Sequence, residues 1–227
     1  MFPIIPANSV AEEAGNDEGI FAFGTTGGVT FYNVSNLVSN TGVWGSDVAG
    51  VGKARYGLAA CEYGGDKGIF GFGYSADGGG TVSAITNLVS NAGVVATDTA
   101  GVGTARFGLA ACEYGGDKGI FGFGYAAGSN TAVTNLVSNA GVVATDTAGV
   151  GTARRYVAAC GYGEDKGIFG FGFSPSLSMT NLVSNAGVVA TDTAGVGTAR
   201  YAPAACEYGG DKGIFGYGRT RDYLFSD

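Results

Sequence analysis

Histidine is absent from all 227 residues, which removes the commonest metal ligand and the usual general base near neutral pH. Catalytic triads that pair serine or cysteine with histidine are excluded by the same gap. Long apolar runs are missing too, since no stretch of about twenty apolar residues marks a membrane span. Met1 is followed by FPIIPANSVAEEAG, without the basic and then apolar regions of a secretory leader. Neither a signal peptide nor membrane insertion is expected. Positive charge is scarce: twelve basic residues face nineteen acidic ones, a net charge of -7, so a nucleic-acid backbone would be repelled. Helical periodicity is also lacking, for no window places apolar residues at i, i+3, i+4 and i+7.

What is present in excess is glycine, 44 residues of it beside a hydrophobic fraction of 45%. The glycines recur in register, which separates the chain from collagen and from disordered sequence. TNLVSNAGVVATDTAGVGTAR occurs unchanged at 86–106, 134–154 and 180–200, and a diverged copy runs from Asn36 to Arg55. Cys61, Cys112, Cys160 and Cys206 hold the same place in successive repeats, at spacings of 51, 48 and 46. Such a period fits four-stranded propeller blades.

Four short strands are expected in each period. In the repeat of Cys61, strand A is Leu58–Tyr63, the GGDKG turn supplies the positive φ angles of a tight hairpin, and strand B is Ile69–Tyr74. Strand C is Thr86–Ser90, and NAG turns the chain into strand D, Val94–Asp98. Counting strand B around Phe23, Phe72, Phe123, Phe171 and Tyr217 gives five blades in a single all-β domain spanning 1–227. The repeats run approximately over 7–55, 56–106, 107–154, 155–200 and 201–227 plus 1–6. The last lacks a D strand after Tyr223–Phe225, and the apolar Met1–Ile5 segment is expected to supply it, closing a five-bladed β-propeller and removing two sheet edges. Small Ala59, Ala60 and Cys61 suit the inner strand, and Phe70 and Phe72 suit packing between blades.

The segment ARYGLAACEYGGDKGIFGFGY resembles the kelch repeat: an arginine, a small-residue inner strand, a hairpin, then an apolar strand ending in glycines. The tryptophan of the kelch fourth strand is found once, as Trp44, with Val95, Val143 and Val189 in the equivalent positions. The wording GDKGIFGFG, TNLVSN and TDTAGVGTAR also resembles repeat arrays in structural proteins of bacteriophages and aquatic microbial genomes. That resemblance implies a virion or tail-associated role.

Few residues offer chemistry. The pairs Asp66/Lys67, Asp117/Lys118, Asp165/Lys166 and Asp211/Lys212 read as hairpin-turn residues. Asp98, Asp146 and Asp192, each eight residues before Arg106, Arg154 and Arg200, read as loop-bracing partners. GVG in GVGTAR is a weak match to a phosphate loop, because no helix follows. No metal or other cofactor is expected, and no enzyme. The cysteines are expected to be free thiols, mostly buried.

In an antiparallel blade the A–B and C–D turns share one side, so the variable B–C loops and the D–A junctions share the other. That second side carries Tyr56, Phe107, the Arg155–Tyr156 pair and Tyr201, each just past a repeated arginine. Two readings stand for them: a surface that stacks on sugars or anchors a protein partner, and a packing ring that caps the inner strands. The leading expectation is a non-enzymatic structural or adhesion module of a phage particle, assembled in the cytoplasm and then virion-bound or extracellular, with protein partners in a larger assembly. A glycan-binding propeller and an intracellular kelch-type peptide-binding scaffold are the alternatives.

Overall fold

At Gly64 and Gly65 the backbone takes φ of 64° and 79°, a left-handed conformation that only glycine adopts without steric cost. The chain reverses there, and the flanking segments pair. The computed structural model describes residues 18–26, 30–75 and 80–220, and no helix occurs among them. The chain is all-β.

Among the described residues this hairpin recurs in four successive units, and a B- and C-type strand pair, called unit one, precedes them. Unit one contains β1 (Gly19–Thr26) and β2 (Thr30–Val38). Unit two contains β3 (Ala59–Tyr63), β4 (Lys67–Gly71), β5 (Tyr74–Ser75), β6 (Thr81–Val82) and β7 (Thr86–Val89). Unit three repeats that order as β8 (Ala110–Tyr114), β9 (Lys118–Gly122), β10 (Tyr125–Ala126), β11 (Ser129–Asn130) and β12 (Thr134–Val137). Unit four contains β13 (Ala158–Tyr162), β14 (Lys166–Phe173) and β15 (Ser176–Val183), and unit five β16 (Ala204–Tyr208) and β17 (Lys212–Gly216). In units two to four the B-type strand lies between A and C, all antiparallel; in unit two the registers run Ala59↔Gly71 to Tyr63↔Lys67 and Gly68↔Val89 to Gly71↔Thr86.

The sheets therefore have two or three strands rather than four. Val94–Asp98, expected as strand D, meets the sheet only through isolated bridges, Val89↔Val95 and Thr86↔Thr99. Among the described residues no further strand pairs with it, and Val94 is exposed. Strand B also stops earlier than expected in units two and three. Phe72 and Phe123 take φ of 66° and 63°, and β5–β6 and β10–β11 follow as separate small hairpins; in units one and four, Phe23 and Phe171 take the same conformation, but β1 and β14 run on past them with a register shift. The closing strand 1–6 and the C strand at Tyr223–Phe225 lie outside the described residues.

The two-sided placement of the turns is as expected. Asn91 on the C–D turn donates to Asp66 on the A–B turn at 3.2 Å, and Asn139 and Asn185 do the same to Asp117 and Asp165. On the opposite side Tyr56 bridges Tyr74 and Phe107 bridges Tyr125.

Neighbouring units pack face to face. The rings of Phe72 and Phe121, and of Phe123 and Phe169, meet edge-on at 5.2 Å, with Phe23–Phe70 at 5.4 Å and Phe171–Phe215 at 5.5 Å. Glycine allows that approach: a Cβ added at Gly122 would lie 2.7 Å from the Phe169 ring. The A strands of units two to four also set their cysteines against a glycine of the next unit, Cys61 on Gly119, Cys112 on Gly167 and Cys160 on Gly213. Backbone hydrogen bonds stitch the units at both ends of the A strands, Gly64 N to Asp117 O and Gly108 N to Gly57 O, both 2.7 Å. All four cysteines are free; Cys112 and Cys160 are buried, Cys61 is half-buried and Cys206 is exposed. Burial pushes the Cys61 thiol up to about 12 and that of Cys160 to about 11.

Candidate functional site

The residue that fixes the loop side is the arginine ending each repeat. Arg55, Arg106 and Arg154 are fully buried, an expensive placement for a cation that their contacts offset in part; among the described residues Arg55 Nε and Arg106 Nη2 are buried without a hydrogen-bond partner. Arg106 lies 4.1 Å over the Phe72 ring of its own unit and donates Nε to Phe123 O of the next at 2.9 Å. Arg154 repeats this with Phe123 at 4.0 Å and Phe171 O at 2.7 Å, and donates to Asn181 Oδ1 at 2.6 Å. The backbone carbonyls of these arginines accept from glycines behind them, Gly73 N to Arg106 O and Gly124 N to Arg154 O, each at 2.9 Å. One side chain thus binds its own unit through a π face and the next through hydrogen bonds.

The aspartates complete the brace between units rather than within them. Asp192 lies 3.7 Å from Arg154 of the preceding unit, and it accepts from the Thr152 backbone and hydroxyl and from Asn181. Asp146 takes the same bonds from Thr104 and Asn135. Burial alone raises the carboxyls of Asp146 and Asp192, but these hydrogen bonds and the arginine charge outweigh it and hold both below the usual range. Burial conversely lowers Arg106 and Arg154 to about 10, with the aspartates opposing the shift, so both remain charged at neutral pH. In three of the Asp–Lys turn pairs, Asp66/Lys67, Asp117/Lys118 and Asp165/Lys166, the mutual hydrogen bond shifts each partner toward its charged form. General acid–base work near neutrality needs the opposite shifts.

Directly after each buried arginine comes the site residue singled out from sequence. Tyr56, Phe107, Arg155 and Tyr201 occupy equivalent places and bridge Tyr74, Tyr125, Phe173 and Arg219. Their rings form one row: Phe31–Tyr56 at 5.3 Å, Tyr56–Phe107 at 6.1 Å, Phe107–Tyr156 at 6.3 Å and Tyr156–Tyr201 at 6.1 Å. The second rank joins it, with Phe107–Tyr125 at 5.7 Å and Phe173–Tyr201 at 5.2 Å. Tyr156 enters from a different position. It stands where the other units have Gly57 and Gly108, at φ 53°, and leaves its neighbour Arg155 to fill the aromatic place. The Arg155 guanidinium lies 4.6 Å over Tyr125 and 4.9 Å over Phe173 and donates to Asn130 Oδ1 at 3.2 Å.

All five residues proposed from sequence therefore come together. Most rings of the row are half-buried, while Tyr201 is buried. Phe31, Tyr74, Tyr125 and Phe173 were not singled out, because Phe31 falls in a variable loop and the other three at its start; the recurrence of Tyr74, Tyr125 and Phe173 opposite the post-arginine position was the available signal. Among the described residues no three His, Cys, Asp or Glu side chains gather as a metal site. A separate cleft of about 380 Å³ lies between units one and two, lined by Ile20, Leu37, Cys61, Ile69 and Gly93 among others. At the later interfaces the corresponding glycines, Gly141 and Gly187, meet the rings of Tyr63 and Tyr114. A scan against protein-family models finds no match to the chain, and a search of the curated proteins finds none either.

Proposed function

We propose that the units are kelch-like blades and that the chain is a non-enzymatic structural or adhesion module that makes protein or host-surface contacts through its loop-bearing side. The observation that carries this reading is the row of half-buried rings from Phe31 to Phe173 beside the variable loops. The repeated Arg, Asp and Lys side chains are engaged in internal bracing, whereas aromatic rings at a surface supply contact area at low entropic cost. The resemblance of the repeat wording to phage structural arrays supports a virion or tail setting. A second reading, glycan binding, is favoured by the recurrence of one two-residue arrangement, Tyr56 with Tyr74 and Phe107 with Tyr125, since similar shallow sites gain avidity from their spacing.

Binding of the labelled chain to immobilised oligosaccharides and to whole host cells tests both readings. Replacing Phe107 and Tyr125 by alanine should weaken retention by at least about tenfold, roughly 1.4 kcal/mol. Retention on cells but not on sugars favours the protein contact, and the reverse favours glycans. Unchanged retention together with a large fall in the unfolding midpoint would show that the row only caps the inner strands.

A further inference from the structure

Each unit presents two different faces, and the interfaces inside the chain show how they mate. The forward face offers an open glycine, a left-handed aromatic residue and a cysteine: Gly71, Phe72 and Cys61 in unit two, for example. The rear face of the next unit seats Phe121 over Gly71, edge-on to Phe72, and lays Gly119 against Cys61. Val143 and Val189 belong to rear faces too, each packing on the apolar cluster of the unit before it.

Both faces recur uncovered at the two ends of the described chain. At the forward end a Cβ on Gly216 would meet no described residue within 4 Å, Tyr217 is 93% exposed where Phe72 and Phe123 are fully buried, and Cys206 is exposed. At the rear end Phe21 holds the position of Phe70, Phe121 and Phe169, yet it is 58% exposed, and Trp44, in the place of Val143 and Val189, is 60% exposed. These two rings stack on one another at 4.8 Å and form an apolar rear patch larger than a valine would give.

We infer that the chain docks head to tail on a second copy of itself, the unit-five face of one molecule receiving Phe21 and Trp44 of the next. The occupant is specified by repetition. The forward face of unit five carries the same AACEYGGDKGIFG sequence as units two and three, and in those units the partner is a rear face bearing the phenylalanine that unit one also carries. The contact is heterologous, so it leaves one face open at each end and continues into a filament or a ring of several chains. It is independent of what the aromatic row binds. Closure of the five units within one molecule uses the same two faces and is the competing outcome.

Sedimentation of the full-length chain at rising concentration tests the inference, with Trp44 emission read alongside because it is the sole tryptophan. The weight-average mass should climb above the monomer's 22.6 kDa while the emission shifts to the blue. Gly216→Arg blocks the forward face at a site with open space around it, and Phe21→Glu blocks the rear. Each variant alone should remain monomeric, and an equimolar mixture should form dimers and nothing larger, because each supplies the face the other lacks. The Trp44 signal of the unmodified chain keeps the test decisive should either variant fail to fold. A monomer at every concentration overturns the inference; buried Trp44 emission would then mark closure within one chain. Association that survives both substitutions overturns it as well, by placing the contact on another surface.

Discussion

Residues 110–122 and 204–216 share one sequence, AACEYGGDKGIFG, and one hairpin register, yet they live in different surroundings. Ile120 is fully buried and Tyr114 nearly so, whereas their counterparts Ile214 and Tyr208 are 53% and 52% exposed. The hairpin itself is conserved between them, down to the five paired positions. Local sequence therefore suffices for the hairpin, and burial comes from the strands laid on it: β12 of the same unit, which pairs Leu136 with Ile120, and the unit that follows. Stability in such an array divides into a term for each unit and a term for each interface, and the comparison of units three and five reads the two together.

The sharpest way to break the comparison is Ile120→Ala against Ile214→Ala. The buried site should lose about 2–5 kcal/mol through lost burial and a cavity, and the exposed one should stay within about 1 kcal/mol of the unmodified chain. Urea unfolding in dilute solution measures both, and equal losses would mean that unit five is covered after all. A smaller effect is expected when a methyl is added. Gly122→Ala drives a Cβ to 2.7 Å from the Phe169 ring and should cost about 1–3 kcal/mol, while Gly216→Ala, facing open space, should change the midpoint hardly at all. Least costly to stability is a chemical probe of the same contrast. Alkylation at mildly alkaline pH should modify Cys206 first and Cys112 and Cys160 slowly, because burial raises those two thiols and the thiolate is the reactive form. Peptide mapping after short exposure reads the order directly.

The repeat, the A–B hairpin and the shared side of the loops were legible because they depend on local turn chemistry and on strand direction. Strand D was not. Val94 and Val95 carry β-branched side chains that favour strands, but the segment meets strand C only at isolated positions, Val89↔Val95 and Thr86↔Thr99, and propensity alone does not mark such sparse pairing. The early end of strand B in units two and three was hidden too, since units one and four carry the same left-handed aromatic and extend through it. Phenylalanine at positive φ is uncommon, and it is adopted here where the ring gains a partner in another unit. The bracing role of Asp146 and Asp192 was readable from charge, but spacing alone pointed within the repeat and the partner lies one unit back. In the candidate site, Tyr56, Phe107, Arg155, Tyr156 and Tyr201 were found because the repeated arginine marks them. Their second rank was missed because Tyr74 and Tyr125 look like ordinary strand residues until the cross-strand bridge is seen.

The left-handed aromatic at the end of strand B has a consequence for how the array comes apart. Phe23, Phe72, Phe123, Phe171 and Tyr217 all sit at φ between 61° and 66°, a strain of about 1–3 kcal/mol apiece for a side chain of this size. Within a unit the arginine over the ring offsets part of that penalty, as Arg106 does for Phe72, and the rest of the offset comes when the ring meets the following unit, as Phe72 meets Phe121. A lone unit is thereby made a poor folder, and neighbouring units are coupled so that partly unfolded arrays are discouraged. Tyr217, at φ 61° with its ring 93% exposed, bears the penalty with little offset, so hydrogen exchange should proceed inward from the unit-five end. Anything that covers that end would stop the fraying at its source.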